Sequence, residues 1–156
     1  MINKKLETAL NKQINEEIFS SYLYLSMAAY FLSLNLDGSA AWMKLQAQEE
    51  MSHAMKFFNF LDEMGGRVSL LPVKEPEKTW KSPLAAFTAV SRHEQYITNC
   101  INELMDLAIA EKDLALRKPD RSELAASAAR GACAPGARTH SARTHSARTR
   151  SASARS

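Results

Sequence analysis

Glu50 and His53 stand three residues apart in a run that reads as helix, so their side chains leave one face about one turn apart. They interrupt an apolar face made of Met43, Ala54, Phe57 and Leu61. Glu17 sits in the same way among Leu10, Ile14, Ser21, Tyr24 and Ala28. Glu94 sits among Phe87, Val90, Ile97, Ile101 and Leu104. Three segments therefore each aim one carboxylate into an apolar interior they share. An ionised carboxylate buried without a partner is strongly unfavourable, and like charges facing each other make it worse. No Lys or Arg lies on these faces to compensate. A bound cation is the simplest repair. Carboxylate oxygens with one imidazole nitrogen suit iron or manganese better than a thiol-seeking zinc site. One Glu-x-x-His with single glutamates from neighbouring helices is a known pattern of paired metal sites in helix bundles.

A single glutamate on an apolar stripe usually lies at its edge, solvated; the convergence of three is what argues for metal. Glu49, beside Glu50, is either solvated or an outer metal ligand. Tyr24, two turns on from Glu17, is a core residue whose hydroxyl is placed to hydrogen-bond a ligand. His93 faces about 100° away from Glu94 and reads as a surface histidine. Cys100 reads as a buried, inert thiol, and His140 and His145 as solvated.

The elements that must position these groups are helical. From about Asn3 to Asn35 the residues Leu6, Leu10, Ile14, Ile18, Ser21, Leu25, Ala28 and Leu32 recur at three- and four-residue steps, with no Pro or Gly between them. Such a helix would be roughly 50 Å long. Asp37-Gly38-Ser39 reads as a turn with Ser39 as N-cap. A second helix follows to Met64, with Trp42, Leu45, Ala47 and Phe60 on its apolar face, and Gly65-Gly66 stops it. Residues 67–82 carry Pro72 and Pro76 and form a long crossover. A third helix opens on Ser82 as N-cap and Pro83, runs to about Leu116, and ends at Lys118-Pro119. Three long helices with a crossover between the second and third describe most of an all-α four-helix bundle.

Composition divides the chain in two. Residues 1–118 hold 13 Lys and Arg against 15 Asp and Glu, whereas residues 119–156 hold seven Arg and two acidic residues, so the net charge of +3 belongs to the tail. The tail is rich in Ala, Ser and Arg and repeats Ala-Arg-Thr-His-Ser from Ala137. It has too little to bury to offset its chain entropy and reads as disordered, with one short helix from Arg121 to Arg130 capped by Asp120. Scattered Arg without aromatic residues offers no base stacking, so no nucleic-acid partner is expected. No segment is long and apolar enough to span a membrane, and no secretory signal opens the chain. Two cysteines make no disulfide framework, and a cytoplasmic home is expected.

The run Asn15-Glu16-Glu17-Ile18-Phe19-Ser20-Ser21-Tyr22-Leu23-Tyr24 resembles the first helix of bacterial non-haem ferritins. Ala47-Gln48-Glu49-Glu50-Met51-Ser52-His53-Ala54 resembles their second, and His93-Glu94-Gln95-Tyr96-Ile97-Thr98 their third. The resemblance covers residues 1–113. It implies a ferritin-like four-helix bundle, self-association into a 24-subunit shell, and an Fe(II)/Fe(III) di-iron centre that oxidises Fe(II) with O2 or H2O2 and stores ferric oxyhydroxide. Carried over by position, Glu17 and His53 would hold one iron, Glu50 would bridge, Glu94 would hold the second, Glu49 would serve a third, outer site, and Tyr24 would stand beside the centre. No haem is expected, since the seven methionines are spread through the helices as packing residues.

From Leu114 the resemblance stops. Where the family has a fourth helix with its own acidic cluster, this chain has the Ala/Ser/Arg tail, which looks like GC-rich DNA read in another frame. With the fourth helix missing or replaced, the second iron would lack ligands and the body would expose an apolar groove prone to association. The alternative to a working ferroxidase is therefore a truncated or frameshifted ferritin fragment without that activity.

Overall fold

The computed structural model describes residues 2–111, which form three α-helices: α1 (Lys4–Ser33), α2 (Asp37–Glu63) and α3 (Pro83–Ala110). The end of the third helix near Leu116, the Arg121–Arg130 helix and the tail 119–156 lie outside the described residues, as does the place of a fourth helix.

The ends of these helices are chemically specified. Asn3 Oδ1 accepts the Lys5 N–H at the start of α1, and Ser82 Oγ accepts the Ala85 N–H at the start of α3, with Pro83 following. α1 closes on Asn35 at φ 56°, where Leu36 N–H bonds to Phe31 O and Asn35 N–H to Leu32 O. α2 closes on Gly65 at φ 67° with the same pair of bonds, Gly66 N–H to Leu61 O and Gly65 N–H to Asp62 O. Ser39 is not a cap: the turn falls at residues 34–36, and α2 begins at Asp37 with no side-chain cap. Asn35 supplies the left-handed residue, so α2 starts three residues earlier than Ser39 as N-cap suggests. Gly66 matters for space rather than φ. A Cβ there would meet Leu61 Cδ1 at 2.3 Å and Leu61 O at 3.1 Å, and Leu61 is wholly buried. Gly66→Ala should therefore destabilise the chain by about 1–3 kcal/mol, read as a lowered denaturation midpoint.

The buried positions follow a tighter rhythm than the sequence stripe. Among them one seam runs through Leu10, Ile14, Glu17, Ser21, Tyr24, Ala28 and Phe31 on α1, and through Ala40, Met43, Ala47, Glu50, Ala54, Phe57 and Leu61 on α2. Both alternate three- and four-residue steps, a repeat of 3.5 that keeps one seam facing a coiled neighbour. Ile18, Leu25 and Leu32 keep the same seven-residue spacing but sit one residue past the seam, about 100° round the helix: Leu25 and Leu32 are exposed and Ile18 is half-buried. Leu45 is also off the seam, at 62% exposed. The three glutamates occupy seam positions.

The crossover lies along α1. Asn11 is pinned to its start, accepting from Ser69 N–H at 2.7 Å and donating to Arg67 O at 2.9 Å, and Ser26 Oγ donates to Glu77 O at 2.6 Å. This carries the chain the length of the bundle, so that α3 returns with Glu94 beside Tyr24 and His93 beside Ser20. The apolar interior is in two parts. One joins Phe19, Tyr24, Met27, Phe31, Met43 and Val90; the other joins Leu6, Leu10, Ile14, Phe57, Leu61 and Leu104. Glu17, Glu50, His53 and Glu94 fall between them in every helix.

Candidate metal centre

The groups between the two apolar clusters are enclosed: Glu17 is 1% exposed, Glu94 6%, Glu50 7% and His53 8%. Glu17, Glu50 and His53 each bring one donor atom to within 4.8 Å of the others. His53 turns Nδ1 toward both carboxylates, 3.3 Å from Glu50 Oε2 and 4.0 Å from Glu17 Oε2. No Lys or Arg is ion-paired to any of the three glutamates among the described residues.

Glu17 makes the physical problem explicit. Its Oε1 accepts a hydrogen bond from Gln13 Nε2 at 2.7 Å, but Oε2 is buried with no donor. Without a cation that oxygen is satisfied only by carrying a proton and sharing it with Glu50. Burial, then the neighbouring Glu50, accordingly push Glu17 up to about 8. Burial raises Glu50 to about 7, with Glu94 and Glu49 adding repulsion and the bond with Glu17 opposing it. Burial also raises Glu94 and lowers His53, keeping the imidazole neutral at neutral pH. A neutral imidazole and two carboxylates that a cation could deprotonate form a donor set of the kind iron or manganese takes. The orphaned Oε2 is the atom such an ion would satisfy, so the residues fit a metal.

Glu94 stands beside the trio rather than within it. It accepts a short hydrogen bond from the Tyr24 hydroxyl, which is wholly buried and held protonated by burial and by Glu94. Glu49 is half-buried and accepts from Gln46 Nε2 at 3.1 Å; it is not part of the trio. His93 is not the surface residue its sequence position suggests. It is half-buried, its Nε2 lies 2.7 Å from Ser20 Oγ, and its ring packs edge-on to Phe19 and Tyr24. The α3 face toward α1 is wide enough to take both residue 93 and residue 94. Burial, with Lys74 nearby, lowers His93 to about 4 and keeps it neutral. Cys100 is half-buried rather than buried, and it lines a cleft between α1 and α3. Gln13 has no chemical signature in the sequence beyond its place one turn before Glu17 on α1.

Residues 7–118 match the ferritin-like domain family. The chain is 41% identical over 115 residues to a bacterial non-heme ferritin of Bacteroides fragilis, a match spanning 74% of this chain and 72% of that protein. It is 40% identical over 113 residues to one of Campylobacter jejuni, spanning 72% of this chain and 68% of that one. Among solved structures, an open pore ferritin from the hyperthermophilic archaeon Archaeoglobus fulgidus superposes with a TM-score of 0.74 at 48% identity, over 85% of each chain. Helical architecture and sequence agree, and the chain belongs to the ferritin family.

Proposed function

We propose that this chain is an iron-storage subunit that takes Fe(II) as substrate at Glu17, Glu50 and His53 and oxidises it to Fe(III). The observation that carries the reading is the buried, donorless Oε2 of Glu17, within reach of a carboxylate and an imidazole. Glu50 faces both Glu17 and Glu94, so it is the residue that would bridge to a second iron held by Glu94, with Glu49 serving an outer site. Each Fe(II) gives up one electron. Two irons at one place supply the two electrons that, with two protons, take O2 to H2O2 or H2O2 to two waters. Ionised carboxylates favour the harder, more highly charged Fe(III), which biases the step forward. Tyr24 holds Glu94 by its hydroxyl and so orients the second iron's ligand. The product would be stored as ferric oxyhydroxide.

The oxidised iron must collect somewhere, and self-association into a shell provides the cavity. Exposed Tyr22, Leu25, Leu70 and Leu71 supply apolar surface for that contact. We assign residues 1–118 to the ferritin-like body, 119–156 to a separate tail, and the protein to the cytoplasm.

Zn(II) competes for such a site and cannot be oxidised. Stoichiometric Zn(II) added before Fe(II) should suppress aerobic Fe(II) oxidation by the full chain, followed by the rise of ferric absorbance. Undiminished oxidation with Zn(II) bound would refute the reading. A second reading, a one-ion site without paired oxidation, is favoured by Glu94 lying outside the trio with one oxygen taken by Tyr24. Calorimetric titration separates the two: two equivalents of Zn(II) per chain support the pair, and one supports the single site.

A further inference from the structure

Gln13 lies one turn before Glu17 on α1, beside the seam residue Ile14, and is itself almost wholly enclosed. A buried amide must find partners, and its Nε2 finds Glu17 Oε1 at 2.7 Å, the short end of the charge-assisted range. The two oxygens of Glu17 are thereby given different surroundings. Oε1 is occupied by an N–H. Oε2 has no donor and is the oxygen that lies toward His53 Nδ1, at 4.0 Å. A free carboxylate can hold an ion with one oxygen or with both.

We infer that Gln13 is a positioning residue for the metal: by holding Oε1 it commits Glu17 to bind through Oε2 alone. The inference rests on reading the Glu17, Glu50 and His53 trio as a metal site. Gln13 and Glu17 share one rigid helix, so the amide stays in register with the carboxylate whether or not α3 shifts. On its other side Gln13 forms part of the cleft wall with Lys12, Cys100 and Glu103. Removing the amide would expose Oε1 to water from that cleft and free the carboxylate to rotate. Glu17 could then grip the ion with both oxygens or lose its aim.

The test uses the full chain, with Co(II) as an anaerobic probe whose visible d–d absorption reports coordination number. Gln13→Met keeps the length of the side chain and removes the donor. It should weaken Co(II) binding by about 10- to 100-fold. It should also lower the d–d intensity per bound ion as Glu17 adds its second oxygen, with the metal-free melting temperature close to that of the parent. Gln13→Glu keeps the shape and repels Glu17, so it should weaken binding at least as much, and it serves if the Met variant does not fold. Parent-like affinity with an unaltered spectrum in either folded variant overturns the inference. So does a lowered melting temperature with an unchanged spectrum, since Gln13 would then only be holding the fold. A parent chain that takes up no Co(II) sinks the metal reading itself, which is a distinguishable result.

Discussion

Replacing Glu50 by glutamine is expected to strengthen the metal-free chain while lowering its affinity for Zn(II) or Fe(II) by about 100-fold. The two effects have one cause. In the absence of an ion, Glu50 is a buried carboxylate next to the buried Glu17, and burial has raised both well above the usual carboxylate range. Glutamine keeps the volume, removes the charge and offers an N–H to the donorless Glu17 Oε2. The gain at pH 8 should be on the order of 3 kcal/mol, the scale set by the Glu50 pKa displaced by between two and three units. The loss follows because Glu50 is the carboxylate common to both proposed iron positions. Chemical denaturation with a chelator present measures the first effect, and calorimetric titration the second. A glutamine variant less stable than the parent without metal would mean that the carboxylates are not in conflict.

The second large effect is on pH dependence. Glu17 and Glu50 have folded-state values raised above their unfolded values, so the stability they allow is full below about pH 4.5 and is lost as pH rises through about 7 and 8. His53 and His93 have lowered values, so they cost stability as pH falls below their unfolded value of about 6.5. The two trends oppose each other on the acid side. Above pH 6.5 the raised Glu17 and Glu50 dominate, and through them the native chain holds more protons than the unfolded one. Metal-free stability should therefore fall between pH 6.5 and 9, by roughly 1–3 kcal/mol. An ion displaces those protons, so Zn(II) should protect increasingly as pH rises across the same window. Urea midpoints at several pH values, with chelator and with Zn(II), measure both trends. Parallel curves would contradict the account.

Much of this was legible in residue order. Helix type, the stop at Gly65-Gly66 and the start at Ser82-Pro83 follow from local rules, because caps depend on the few residues that make them. Glu17, Glu50 and His53 were visible as polar groups on apolar stripes, and the fold brings them together. The failures share a cause, which is that facing depends on the neighbour. The Leu25 and Leu32 stripe has the same spacing as the true seam one residue out of phase, and only packing against a partner helix selects between the two phases. His93 does not face solvent, because the α3 face toward α1 holds both it, beside Ser20, and Glu94, beside Tyr24. Gln13 carries no chemistry of its own, and only its hydrogen bond to Glu17 reveals it.

The divided interior has a mechanical consequence. Two oily halves separated by a polar waist are not obliged to melt together, because among the described residues Phe31 and Met43 belong to one apolar cluster and Leu6 and Leu61 to another, with the acidic layer between. Each half can open by itself. An ion seated at the waist would tie α1 to α2 at the level between the two apolar clusters. Loading cargo would thus also weld two loosely joined lobes into one cooperative body. Amide exchange should show this as separate protection classes at either end of α1 that merge when metal is added.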